Sequence, residues 1–240
     1  MLQPSDDQPL LGAPRASGHE VVIERELRNL RGMILAEAAT AIGMVEQAAE
    51  ALVALDDNAA RIVIGRDDEI DREEVRIEEE CFRILALFHP FAKDFRLITT
   101  FVKINNDIER VADHATSVAK QTIKLQKLGV RSIPTALNEL AQRVPMLCRG
   151  VLNSLASEDA ADARELAAKD KAIDSLEKQL FEECVNIMAD ARDSKAAGLI
   201  MHRCGRELER VGDLMKNIAE DLIYLQSGTI VRHEKKLMQQ

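Results

Sequence analysis

Apolar residues recur every seven positions along most of this chain, and that recurrence marks out its elements. From His19 to Leu55 the column reads Leu27, Ile34, Ala41, Ala48 and Leu55, with Leu30, Val45 and Leu52 beside it, the pattern of one long helix. Asp56-Asp57-Asn58 breaks it and can cap a second helix, whose column is Val63, Ile70, Ile77 and Ile84. The adjacent column, Asp67, Glu74, Cys81 and Phe88, is acidic in its first half, where a bundle would prefer Leu. His89-Pro90 stops the helix. A third helix starts near Pro90 or Asp94 and carries Leu97, Ile104, Val111, Val118 and Leu125. Gly129 to Pro134 has linker character, and Pro134 suits the first turn of a fourth helix striped with Leu137, Leu140, Val144, Leu147, Val151 and Leu155. Pro145 inside that stripe predicts a kink. A fifth helix is expected from about Glu158 to Ala189 and a sixth from about Ser194 to Leu225.

The two halves repeat each other. At an offset of 103 residues Asp67, Asp71, Glu74, Glu79, Glu80 and Cys81 meet Asp170, Asp174, Glu177, Glu182, Glu183 and Cys184, and the column from Val63 to Ile84 meets Leu166, Ile173, Leu180 and Ile187. Beyond the next turn the offset becomes 100, so that Asp107-Ile108-Glu109-Arg110-Val111-Ala112-Asp113 meets Glu207-Leu208-Glu209-Arg210-Val211-Gly212-Asp213. The expected fold is all-α, two tandem antiparallel three-helix bundles spanning 19–128 and 129–226, because short connections make consecutive helices antiparallel neighbours. Residues 1–18, with Pro4, Pro9 and Pro14 among polar residues, read as a disordered arm, and 227–240 as a polar tail.

Composition agrees and narrows the function. Of 240 residues only 3% are aromatic, and 46% are hydrophobic, enough to build a core. A net charge of −9 argues against a general nucleic-acid binder. No apolar run reaches the roughly 20 residues that span a bilayer, and the start lacks the pattern of a signal peptide. Cys81, Cys148, Cys184 and Cys204 are far apart in sequence, form no paired motif, and fit small core residues in a reducing cytoplasm.

The chemistry on view is carboxylate. Acids four apart lie on one side of a helix, about one turn from each other. Each half owns two such pairs, Asp67 with Asp71 and Glu109 with Asp113, then Asp170 with Asp174 and Glu209 with Asp213. Antiparallel helices can bring the pairs together, and four neighbouring carboxylates repel unless cations such as iron, manganese, magnesium or zinc neutralise them. One such pair is common on any solvated face; duplication of the whole set in register is not. At about 100° per residue Glu109 and Asp113 point away from the Leu97, Ile104, Val111 seam, so the site belongs on the outer edge of a bundle. A ferritin-like di-iron centre needs Glu-x-x-His pairs, and none occurs. His114 is either a further ligand or an exposed helical side chain, and Leu214 in its place in the second half favours the latter. Arg110 and Arg210 either hold the ligating carboxylates or pair with other surface acids, with Asp107 and Glu207 as further supporting groups. No phosphate loop or activated nucleophile is visible.

These motifs resemble the repeats of the PhoU family. The family pattern is a D-x-x-I-D opening, a Pro-containing segment ending in Arg, and an L-E-R-I-G-D stretch. Here the first repeat has Asp67, Ile70 and Asp71, then Pro90, Ala92, Asp94 and Arg96, then Ile108 to Asp113. The second has Asp170, Ile173 and Asp174, then Leu208 to Asp213, and departs by lacking the Pro-containing segment between its second and third helices. The resemblance covers roughly residues 20 to 226. It implies a cytoplasmic regulator without catalysis, multinuclear iron or zinc clusters at the D/E-x-x-x-D motifs, and a tendency to dimerise. It further implies restraint of phosphate uptake and of the phosphate-starvation response, exerted at the membrane through the phosphate ABC transporter ATPase and a sensor histidine kinase. A different class of function, a metal-dependent phosphohydrolase using the same carboxylates, stands as the alternative.

Overall fold

The heptad columns become the buried faces of long helices. The computed structural model describes residues 18–157, 163, 165–166, 170–190 and 194–228, and among them there is no strand. The helices are α1 (Gly18–Ala54), α2 (Asp57–Ile64), α3 (Asp67–Phe88), α4 (Ala92–Lys127), α5 (Thr135–Ser157), α6 (Asp170–Asp190) and α7 (Ser194–Ser227). Ile34, Ala41 and Ala48 of α1, Ile104, Val111, Val118 and Leu125 of α4, and the whole stripe of α5 are buried. The terminal arm and tail and most of the start of the expected fifth helix lie outside the described residues.

One expected element divides. The single helix expected to carry Val63 to Ile84 is broken at Gly65 and Arg66 into α2 and α3. The Arg66 N–H reaches back only to Val63, tightening the last turn of α2, and Arg66 supplies no side-chain cap to α3. The apolar column runs straight across this break, which is why periodicity alone reads through it. The break has a consequence for charge: Asp67, Asp68 and Glu69 become the first turn of α3, where a helix N-terminus stabilises carboxylates. The Asp56 side chain does cap α2, accepting from the N–H groups of Asn58 and Ala59 at 2.9 and 3.1 Å. The fourth helix continues through Pro145 without interruption.

The two repeats share a centre. α1, α4, α7 and α5 pack in a ring, each against the next, and one continuous core joins them. Ala38, Ala41, Ile108, Val111, Val151, Leu155, Met215 and Ile218 meet at its middle. α3 lies outside on α4 and α1, and α6 outside on α7 and α5, so each repeat contributes two helices to the ring and an outer helix to its flank. All four cysteines are buried and free, and burial pushes each thiol well above its ordinary value.

Ile104 has no exposed surface in this ring. Ile104→Ala is expected to cost about 2–5 kcal/mol in urea unfolding, whereas Ile62→Ala, at a side chain 63% exposed, should change stability by less than about 0.5 kcal/mol.

Candidate metal-binding edges

α3 and α4 run antiparallel, and two hydrogen bonds fix their register. The Thr116 hydroxyl donates to Asp67 Oδ1 at 2.9 Å, and the Asn105 amide donates to the Glu74 carbonyl at 2.9 Å. Between these points Asp67 and Asp71 of α3 stand opposite Glu109 and Asp113 of α4. The second half repeats the arrangement. Arg206 of α7 lies 3.9 Å from Glu177 of α6 and 4.0 Å from Glu209, and the charge of Asp174 on α6 acts on Glu209. The main chain of Asp170 opens α6, as that of Asp67 opens α3, but its side chain lies outside the described part of the structure.

The acids flank the core instead of lining it. Asp67, Glu109, Asp174 and Glu209 are half-buried, while Asp71, Asp113 and Asp213 are exposed. Their charges act on one another. Glu109 is pushed up to about 6, first by burial and then by the carboxylates of Asp113, Asp71 and Glu74. Asp113 is raised by burial and by Asp67 and Asp71. Glu209 is raised by burial and by Asp213, with Arg206 acting the other way. Glu74 joins the row, raised by burial and by Glu78 and Asp71.

A further acid lies behind the first row. Glu37 of α1 is 3% exposed, and neither of its carboxyl oxygens has a hydrogen-bond partner. Burial, then the charges of Glu74, Glu73 and Glu109, push it up to about 8. Its position was the available signal: three residues after Ile34 and four before Ala41, it falls on the apolar face of α1, where an acid is out of place.

The supporting residues divide differently from expectation. Glu207 belongs to the seam between the halves: it is 7% exposed and accepts from His114 Nδ1 of α4 at 2.7 Å. That bond, with one to Ser117, holds its carboxyl below the ordinary value despite burial. His114 is thus no exposed surface side chain, since only 16% of it is accessible. Asp107, the counterpart of Glu207, is also buried and lies 3.6 Å from Arg110. Arg110 and Arg210 are exposed; Arg210 draws down the Glu207 carboxyl and Arg110 that of Glu109.

Among the described residues no three His, Cys, Asp or Glu side chains converge closely enough to enclose an ion as they stand. The carboxylates form an open row along the facing helices. The donor set nevertheless fits a hard or borderline cation. It consists of half-buried and exposed carboxylate oxygens from two facing helices, with the buried Glu37, whose oxygens accept nothing, behind them in the first half.

The raised acids make the metal-free protein sensitive to pH. Glu37 and Glu109 keep their protons in the folded state above the value of 4.5 at which an unfolded chain releases them. Between about 4.5 and 8 the unfolded chain therefore binds fewer protons, and stability falls as pH rises. Metal-stripped protein should melt at a lower temperature at pH 8 than at pH 5, and Glu37→Gln should flatten that slope, as measured by circular dichroism.

The chain matches the PhoU domain profile twice, over residues 34–122 and 137–222. It is 34% identical over 161 residues to the phosphate-specific transport system accessory protein PhoU homolog of Deinococcus radiodurans, covering 67% of this chain and 76% of that protein. It is similar in structure to PhoU from Pseudomonas aeruginosa, with a TM-score of 0.82 and 34% identity over 86% of this chain and all of that one. The phosphate transport system regulatory protein PhoU from Streptococcus pneumoniae superposes with a TM-score of 0.79 at 26% identity, over 87% of this chain and 99% of that one. With both repeats matched and the ring of helices in common, this chain belongs to the PhoU family.

Proposed function

We propose that this protein is a cytoplasmic, non-catalytic adaptor of a phosphate-specific transport system, and that its two acidic edges bind transition-metal ions. In this reading it restrains phosphate uptake and the phosphate-starvation response by linking the transporter ATPase to a sensor histidine kinase, and acts as a homodimer. The observation that carries the metal part is the duplicated row of facing carboxylates, in which burial and then neighbouring acids raise Glu109, Asp113 and Glu209. The adaptor part rests on the family and on the names of its relatives, an accessory protein and a regulatory protein of phosphate transport. No helix among the described residues is long and apolar enough to cross a membrane, so attachment to a transporter would run through protein contacts.

The residues that would hold metal are Asp67, Asp71, Glu109 and Asp113 in one half and Asp170, Asp174, Glu209 and Asp213 in the other. A bound cation, whether iron, zinc, manganese or magnesium, supplies positive charge that cancels the repulsion across each helix pair. The chain's own part is to hold the oxygens in two rows at fixed register, through Thr116 and Asn105 in the first half. The outer helix of each repeat is then tied to the ring by more than its apolar stripe. Because the rows lie on the surface, a partner docking there would meet a different charge in the loaded and the empty states.

Protein purified without chelator should carry transition metal by elemental analysis, and joint replacement of Glu109, Asp113, Glu209 and Asp213 by Ala should remove most of it; unchanged content would remove the site assignment. In cells, capture of the tagged protein with the membrane fraction should recover the transporter ATPase or the kinase. Phosphate-ester hydrolysis with added manganese, abolished by Asp113→Ala with Asp213→Ala, would replace the adaptor by the hydrolase.

A further inference from the structure

The two edges differ in what stands behind them. The offset of 103 that relates α3 to α6 also carries Ile34, Ala41 and Ala48 of α1 onto Leu137, Val144 and Val151 of α5, and it carries Glu37 onto Leu140. The offset of 100 carries Asn105 onto Gly205. The structure bears out this pairing in the second half, where a Cβ placed on Gly205 would run into Leu180 Cδ2 and lie 3.5 Å from Leu140 Cδ1. Leu140 and Leu180 thus close over the glycine in an apolar contact. In the first half the same positions hold two polar side chains. Both are buried: Glu37 has two unpartnered oxygens, and Asn105, whose amide is spent on the Glu74 carbonyl, has an unpartnered Oδ1. A buried polar group without a partner is unfavourable; three such oxygens, on Glu37 and Asn105, gather behind the first acidic row, against the single nitrogen His202 Nδ1 beside the second.

Counter-charge is distributed the opposite way. In the second half Arg206 lies 3.9 Å from Glu177 and 4.0 Å from Glu209. The corresponding first-half position is Asn106, which carries no charge. Lys120 stands 4.0 Å from Asp67, at the far end of the row from Glu74. Among the described residues the stretch around Glu74, Glu109 and Glu37 thus gathers three acids on three helices, with the exposed Arg110 as the basic group acting on Glu109.

We infer that Glu37 is an internal member of the first-half site, so that a divalent cation there is held by acids from three helices, α1, α3 and α4. The second-half edge draws on two helices and is partly neutralised by Arg206. The first-half edge is accordingly the tighter of the two. The inference rests on the metal-binding reading above and goes beyond it in ranking the sites and in recruiting α1. A cation drawn in beside Glu37 would give its oxygens the partner they lack and would tie an outer helix to two helices of the ring at once.

The test uses full-length protein stripped with chelator and titrated with Zn2+ and, separately, Mn2+, with bound metal counted by elemental analysis and affinities read by competition with a chromogenic chelator. Wild type should show two affinity classes. Glu37→Leu, which installs the residue found at the equivalent second-half position, and Glu37→Gln should each weaken the tighter class by tenfold or more and leave the weaker class in place. In the Glu209→Ala, Asp213→Ala background, which leaves the first-half edge alone, the same substitutions should act on all remaining binding. Both variants should retain the helical circular dichroism of wild type, and metal should raise their melting temperatures less than it raises that of wild type. Two unchanged classes in folded Glu37→Leu and Glu37→Gln would overturn the role of Glu37 and leave the metal reading standing. Wild type that takes up neither ion would overturn both.

Discussion

The rotation of α4 about its own axis governs everything else in this molecule. Ile104, Ile108, Val111, Ala115 and Val118 are all buried against the ring, so the helix cannot turn without exposing them. With that face fixed, Glu109 and Asp113 must lie along the flank where α3 packs, and the acids of α3 meet them. The same holds for α7, where Leu208, Val211, Met215 and Ile218 are buried and Glu209 and Asp213 face α6. The energy that orients the carboxylates is thus hydrophobic, and it is spent away from them. A row of like charges can persist on a helix flank because the core on the other side holds the backbone in place.

The ring is where the two three-helix repeats join. The two ring helices of each repeat pack on each other and on a helix of the opposite repeat, with α2 and α3 outside in the first half and α6 outside in the second. The bond from His114 to Glu207 crosses this seam and is nearly shielded from water on both sides. It has no counterpart with the same residues, since Leu214 occupies the position equivalent to His114. The internal symmetry is therefore one of architecture, with polar detail distributed unevenly between the halves.

Much of this was legible in the sequence, because long helices with sustained heptads leave few alternatives. The columns through Ile34, Ile104 and Leu137 are the core, and the offset between the halves places the acidic pairs at equivalent points. The break between α2 and α3 was not legible: the column from Val63 to Ile70 keeps its phase across Gly65, and periodicity reports faces, not continuity. The burial of His114 and Glu207 was hidden for a different reason. Both sit on helix faces that look solvated within one repeat and are covered only by the other. Glu37 was readable in principle, as an acid on an apolar stripe, but its meaning required knowing that Glu74 and Glu109 lie beside it.

The account depends on cations bridging facing helices at the acidic edges. Anomalous diffraction from crystals grown with manganese or zinc, recorded on both sides of the metal absorption edge, tests this most directly. The account predicts peaks between α3 and α4 and between α6 and α7, at roughly 2.0–2.6 Å from carboxylate oxygens, with the stronger peak beside Glu109 and Glu37. Metal-loaded crystals that show no anomalous peak at either edge, or peaks only at places remote from these acids, would contradict it.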